Sequence, residues 1–243
     1  MMTIFKKEIA GFFSSLIGYV VLAVFLLGIG LFTWILPEYS LLEYGYANLD
    51  TLFSMGPFVF LFLLPALTMR MLAEERKNNT IELLYTKPIT EMQVVLGKYL
   101  AGLVLLLMAL LPTLIYLWTI GYLAEPRWNL DMGSILGSYF GLFLLGAAFT
   151  AIGIFCSSLV ENQVVSFLLS LLLCALLYVV PSSLALLFDG KNTWMELVQQ
   201  LGMDEHYNSM SRGVLDTRDL LYFLGLILLF LNGTKVVLES RKW

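Results

Sequence analysis

Residues 99–123, YLAGLVLLLMALLPTLIYLWTIGYL, run for twenty-five positions without one charged side chain. As an α-helix, such a run reaches about 37 Å, more than the ~30 Å hydrocarbon core of a bilayer. A soluble core has no use for an apolar stretch of that length. The run is continuous rather than alternating, so it reads as a membrane helix and not as a barrel strand. Working outward, similar runs occupy about 12–36, 52–72, 135–159, 164–181 and 220–237. The fold class expected is an all-α polytopic membrane protein with six spans in one transmembrane domain over residues 1–243. The composition agrees: 59% of residues are hydrophobic and 13% charged, with a mean hydropathy of +0.84.

Immediately before that run lies its opposite. Residues 73–98, AEERKNNTIELLYTKPITEMQVVLGK, carry four acids and four bases. Asn79 is a good helix N-cap, and Glu82 stands three residues later, where a capping-box partner belongs. A helix over about 80–86 would present Ile81, Leu84 and Tyr85, and Pro88 must end it because proline disfavours helical geometry at Lys87. Thr90, with Gln93 at the third position, starts the next helix. The segment therefore reads as a short, stiff, half-apolar helix held at both ends. It either rests on headgroups or docks on a protein.

Basic residues set the orientation. With the N-terminus in the cytoplasm, the inner side holds Lys6, Lys7, Arg70, Arg76, Lys77, Lys87, Lys98, Lys235, Arg241 and Lys242. The outer side holds Arg127, Lys191, Arg212 and Arg218. Both termini are then cytoplasmic, and Trp34, Tyr39, Tyr44, Tyr122 and Trp128 form an outer interfacial belt. The start, MMTIFKKEIAGFF, suits an amphipathic helix lying at the inner headgroups, or else the frayed beginning of the first span. Its apolar continuation is too long for a cleaved signal, so it is expected to remain as an anchor. The outer connection 182–219 is long, and its LALLF and WMELVQQLGM stretches predict one or two short helices, dipping into the outer leaflet or packed as a cap. Gly133, Gly137 and Gly141, followed by Gly146 and Gly153, predict close helix packing, within the chain or between subunits. Cys156 and Cys174 fall inside spans and read as small packing residues.

Several chemistries lack their residues. No charged residue lies near the middle of a predicted span, which removes the usual equipment for ion coupling. There is no phosphate-cradling G-x-x-x-x-G-K-[ST] loop, so ATP hydrolysis is not expected from this chain. The one histidine, His206, leaves no HExxH zinc site. An intramembrane enzyme built on Glu74–Glu75 is the remote alternative. No catalytic, cofactor-binding or metal-ligating residue is expected, and no nucleic acid as partner.

The pattern A-E-E-R-x-x-x-T-x-E-L-L-x-x-x-P-[ILV]-[ST], with V-L-G-K opening the next span, resembles the signature of ABC-2 type transporter permeases. The matching positions are Glu74, Glu75, Arg76, Thr80, Glu82, Leu83, Leu84, Pro88, Gly97 and Lys98; Asn79 stands where the family commonly has glycine. The resemblance implies that Glu74, Glu75, Arg76, Thr80, Ile81, Glu82, Leu83, Leu84, Tyr85, Lys87 and Pro88 form a coupling segment seated in a separate ATPase subunit, present in two copies, which holds ATP and Mg. It implies a bacterial inner-membrane location and two short outer helices forming a gate, with Phe188, Trp194, Leu197 and Val198 as candidates. More narrowly, EHYNSMSRGVLDTRDLLYF and LESRKW resemble the gliding-motility-associated permeases among ABC transporters. That implies a second membrane subunit with a large outer domain; a second copy of this chain is the other option, and lipid surrounds both. The function expected is export or outer-side mechanical work driven by the ATPase. The rival is a scaffold that transmits ATPase motion to an outer protein and moves no substrate.

Overall fold

The computed structural model describes residues 1–36, 47–78, 90–187, 193–214 and 216–240. Among them every regular element is helical. Helix α1 (Met2–Phe13) is amphipathic, burying Ile4 and Phe12 while Lys6 and Lys7 stay exposed. Ser15 then caps α2 (Leu16–Gly30) by accepting a bond from Gly18 N, and a π-helical turn, Leu31–Ile35, continues it. The expected first span, 12–36, therefore begins a few residues late. Phe12 and Phe13 belong to α1, and only the serine pair marks a corner between two apolar stretches.

Helix α3 (Asp50–Thr68) carries Pro57 and Pro65 and leads through a turn at 69–72 into α4 (Ala73–Lys77). Helix α5 (Glu91–Leu110) starts with the expected capping box: Gln93 N donates to Thr90 Oγ1, and Thr90 N to Gln93 Oε1. Pro112 converts its end to a 3-10 turn before α6 (Leu114–Leu123). Helix α7 (Met132–Leu159) is capped by Asp131, and α8 (Gln163–Tyr178) by Asn162. Three short helices follow, α9 (Val180–Leu187), α10 (Thr193–Gln200) and α11 (Met203–Ser211), and then α12 (Thr217–Ser240).

Among the described residues five segments are long and apolar enough to cross a membrane: 18–35, 50–77, 91–123, 132–159 and 217–240. The expected span at 164–181 is not a sixth of that kind. Helix α8 has 16 residues, about 24 Å, which is short of a bilayer core. Pro181 supplies the reason: lacking an N–H, it ends α8 near Val179 and sits in the first turn of α9.

The core is organised around α7, which packs on α3, α5, α8, α11 and α12. Its glycines serve this chain's own packing. A Cβ at Gly137 would meet Met210 O at 2.5 Å, and one at Gly153 would collide with Thr68 Oγ1. Glycine at these two places lets α11 and α3 approach the α7 backbone. Cys156 and Cys174 are buried free thiols.

Candidate functional site at the roots of residues 79–89

The two stretches of chain that lead into residues 79–89 are fixed by one buried ion cluster. Lys98, about two turns into α5, is fully buried. Its Nζ lies 2.7 Å from Glu8 Oε1 and 2.9 Å from Glu75 Oε2, and it also donates to Met71 O. Two of its donors are spent on hydrogen bonds to Glu8 Oε1 and Met71 O, and Glu75 Oε2 faces it as an ion pair. Lys7 Nζ adds a bond of 2.7 Å to Glu75 Oε1. Burial by itself would lower the Lys7 pKa. The hydrogen bond and charge of Glu75, with Glu8 and Glu74 adding, outweigh that and hold it above the ordinary lysine value. Charges in such a place are tolerated only when paired and fully hydrogen-bonded. Here the pairing ties α1, α4 and α5 together.

The same turn is gripped from the other side by α7. Ser157 Oγ accepts from Leu72 N at 2.9 Å and Ala73 N at 3.0 Å, and donates to Met69 O. These are the backbone groups that a helix end leaves without intrahelical partners, carbonyls closing α3 and amides opening α4. Arg76 reaches Ser158 O at 2.6 Å and Glu161 Oε1 at 3.2 Å, so it holds a carbonyl in the last turn of α7 and a side chain of the α7–α8 hairpin. The described residues on either side of 79–89 are thus bonded to α1, α5 and the α7–α8 hairpin.

Of the sequence candidates here, Glu75 and Arg76 are brought into this cluster, whereas Glu74 is exposed. Thr80, Ile81, Glu82, Leu83, Leu84, Tyr85, Lys87 and Pro88, with the helix expected over 80–86, lie outside the described residues. Glu8 and Lys7 escaped the motif because they come from 90 and 68 residues away from their partners. A cavity of about 350 Å³ opens beside the cluster between α1 and the end of α3.

The opposite end of the bundle has its own polar joint. His206 Nδ1 lies 2.6 Å from Asp219 Oδ1 and its Nε2 lies 2.9 Å from Gln200 O, while the ring stacks on Tyr222 with centroids 3.9 Å apart. Tyr207 donates to Phe53 O at 2.7 Å, and Ser134 to Ser211 O at 2.7 Å. Burial raises the Asp204 pKa against the hydrogen bonds of Tyr178, Asn208 and Ser182. These contacts dock α11, which was not among the helices expected in 182–219; its buried Met203, Tyr207 and Met210 are the signal that could have revealed it. Phe188 lies outside the described residues. Trp194, Leu197 and Val198 lie on α10, where Leu197 is exposed and Val198 half-buried.

No curated protein matches the chain. The family model for "ABC-2 family transporter protein" matches residues 2–243, nearly the whole chain, including the clustered AEER and VLGK residues. With five bilayer-length helices around one core and a match of this extent, the chain belongs to the ABC-2 family of transporter proteins.

Proposed function

We propose that residues 73–98 receive the motion of an ABC ATPase and pass it into the membrane helices. The family makes the chain a membrane permease component of an ABC transporter, working with an ABC ATPase subunit. The finer reading is that two ATPase copies, holding ATP and Mg, close on residues 79–89. Their push repacks α3 and α5 about Pro57 and Pro65 within α3 and Pro112 just after α5, driving export or outer-side work. In this reading α8 and α9 together form the sixth crossing. The membrane is a bacterial inner membrane with both termini cytoplasmic, and a second permease subunit or second copy completes the pathway. A gliding-motility role rests on the resemblance of residues 205–223 and 238–243.

The observation that supports this reading is the double anchorage: Glu75 and Arg76 on one root, Lys98 on the other, each bonded into the bundle. A segment that merely rested on headgroups would need no such anchors.

The test separates docking from transmission. Leu84→Asp places a carboxylate in a protein groove, which costs several kcal/mol, enough to weaken ATPase co-purification in mild detergent by at least about a hundredfold. Glu75→Gln should leave co-purification intact and abolish the stimulation of ATPase activity by the assembled complex. Undiminished ATPase recovery with Leu84→Asp would overturn the proposal.

A further inference from the structure

The cavity beside the ion cluster has an uneven distribution of charge. Its wall carries Lys7, Arg70, Glu8, Glu74 and Glu75. Three of these five are already committed: Lys7 to Glu75, and both Glu75 and Glu8 to Lys98. Two charges remain. Arg70 donates from its guanidinium to Ser15 Oγ at 3.2 Å, and among the described residues no carboxylate comes within ion-pair distance of it. Glu74 is exposed; it acts on Lys7 through its charge but forms no ion pair within 4 Å among the described residues. Glu74 N donates to Arg70 O, so the two residues stand one helical turn apart on the same side. The cavity thus presents one available positive and one available negative charge, about a turn apart, instead of the pair closing on itself.

Beside these charges and the polar Ser15 and Asn78, the lining is apolar. Phe12, Leu67, Met71 and Leu105 are all buried. Ser15, at the lip, also caps α2, so the positive end of that helix dipole faces the cavity. Just beyond it, Leu16, Tyr19 and Val20 present an exposed apolar face. A polar mouth with split charges, an apolar floor and an exposed apolar helix face beside it match an amphipathic zwitterion. The volume, about 350 Å³, suits a headgroup and the glycerol below it, not a whole lipid.

We propose that this cavity is a binding site for a phosphoethanolamine-type phospholipid headgroup, with the phosphate on Arg70 at the α2 N-terminus and the ammonium on Glu74. The bound lipid fills the space between α1 and α3 and so stiffens the wall of the ion cluster. Its occupancy concerns this chain alone and does not depend on which ATPase docks or whether residues 79–89 couple.

Gly11 supplies a clean probe. It lines the cavity, and a Cβ built there meets nothing within 4 Å. Gly11→Leu therefore adds an apolar side chain at the cavity wall, where its Cβ displaces no packed atom. The measurement is binding of dioctanoyl phosphatidylethanolamine, dioctanoyl phosphatidylglycerol and inorganic phosphate to delipidated full-length chain in detergent, read by native mass spectrometry. The wild type should take one phosphatidylethanolamine. Arg70→Gln and Gly11→Leu should each weaken binding of both lipids by about tenfold or more, because a charge-assisted phosphate contact or the space itself is gone. Glu74→Gln should weaken the ethanolamine lipid alone. If Gly11→Leu, still folded by circular dichroism, binds phosphatidylethanolamine as the wild type does, the site is not this cavity. Equal loss of both lipids in Glu74→Gln would overturn the ammonium assignment. Inorganic phosphate binding as tightly as the lipid, and displacing it, would show a soluble-phosphate site and overturn the lipid assignment.

Discussion

Lys98 shows how far a residue's meaning depends on partners distant in the chain. In the sequence it closes a motif at the edge of an apolar run, one basic residue among several on one side. In the fold α5 begins at Glu91, so Lys98 sits inside a helix, with no exposed surface and carboxylates from α1 and α4 around it. Lys98→Met would leave the buried Glu75 and the half-buried Glu8 without their shared cation. Removing one member of such a group costs roughly 3–5 kcal/mol, or about 10 °C in thermal midpoint for a chain this size. A midpoint in detergent indistinguishable from wild type would refute the cluster's structural weight. Lys7 adds a pH signature. Its pKa is raised, so its contribution is complete below the ordinary lysine value and is lost only as pH rises past the raised one. Stability across the neutral range, well below the ordinary lysine value, should therefore not vary through Lys7. Neither partner of Lys98 was legible, since nothing local in KKEIAGFF or AEER records a contact made across the bundle. The capping box at Thr90 and Gln93 was legible, because its two halves lie three residues apart.

Elements were legible where their signals were local and went astray where two signals overlapped. The apolar runs placed α3, α5, α7 and α12, although the 99–123 run, read as one helix, is broken after α5 at Pro112. The corner between α1 and α2 was misplaced because both sides of it are apolar and only Ser14–Ser15 interrupts them. Helix α8 was drawn too long because Val179 and Val180 continue its apolar character past the point where Pro181 ends it. The glycine row of α7 left two destinations open, and the packing distances assign it to this chain's own helices. That assignment predicts an asymmetry between two identical substitutions. Gly153→Ala drives a methyl into Thr68 Oγ1, whose hydroxyl is bonded to Leu64 O, so α3 and α7 must part. Overpacking of this kind costs about 1–3 kcal/mol. Gly225→Ala on α12 meets nothing within 4 Å and should be neutral or stabilising by up to about 1 kcal/mol through helix propensity. Equal thermal midpoints for the two variants would mean that Gly153 is not a contact point.

At the scale of the whole molecule, the contacts sort the charges between two ends without reference to any compartment. The ion cluster puts Lys7, Arg70, Arg76 and Lys98 at one end, and neighbours in sequence or helix direction add Lys6, Lys77 and Lys235. The bonds of Tyr207 to Phe53, Ser134 to Ser211 and His206 to Asp219 define the other end, which carries Arg127, Arg212 and Arg218. The even number of crossings in the proposed topology keeps α1 and the end of α12 together, in keeping with this sorting. Which end faces the cytoplasm follows from charge: basic residues are retained on that side during insertion, so the lysine-rich end should be cytoplasmic. Single cysteines at Asn48, Glu82 and Asn208 turn this into a measurement with a thiol reagent that does not cross membranes. The two native cysteines are buried and give little background. In intact cells residues 48 and 208 should label, and residue 82 only after the membrane is opened. Labelling of residue 82 in intact cells would invert the molecule and place residues 79–89 out of reach of any cytoplasmic ATPase, against the proposed coupling.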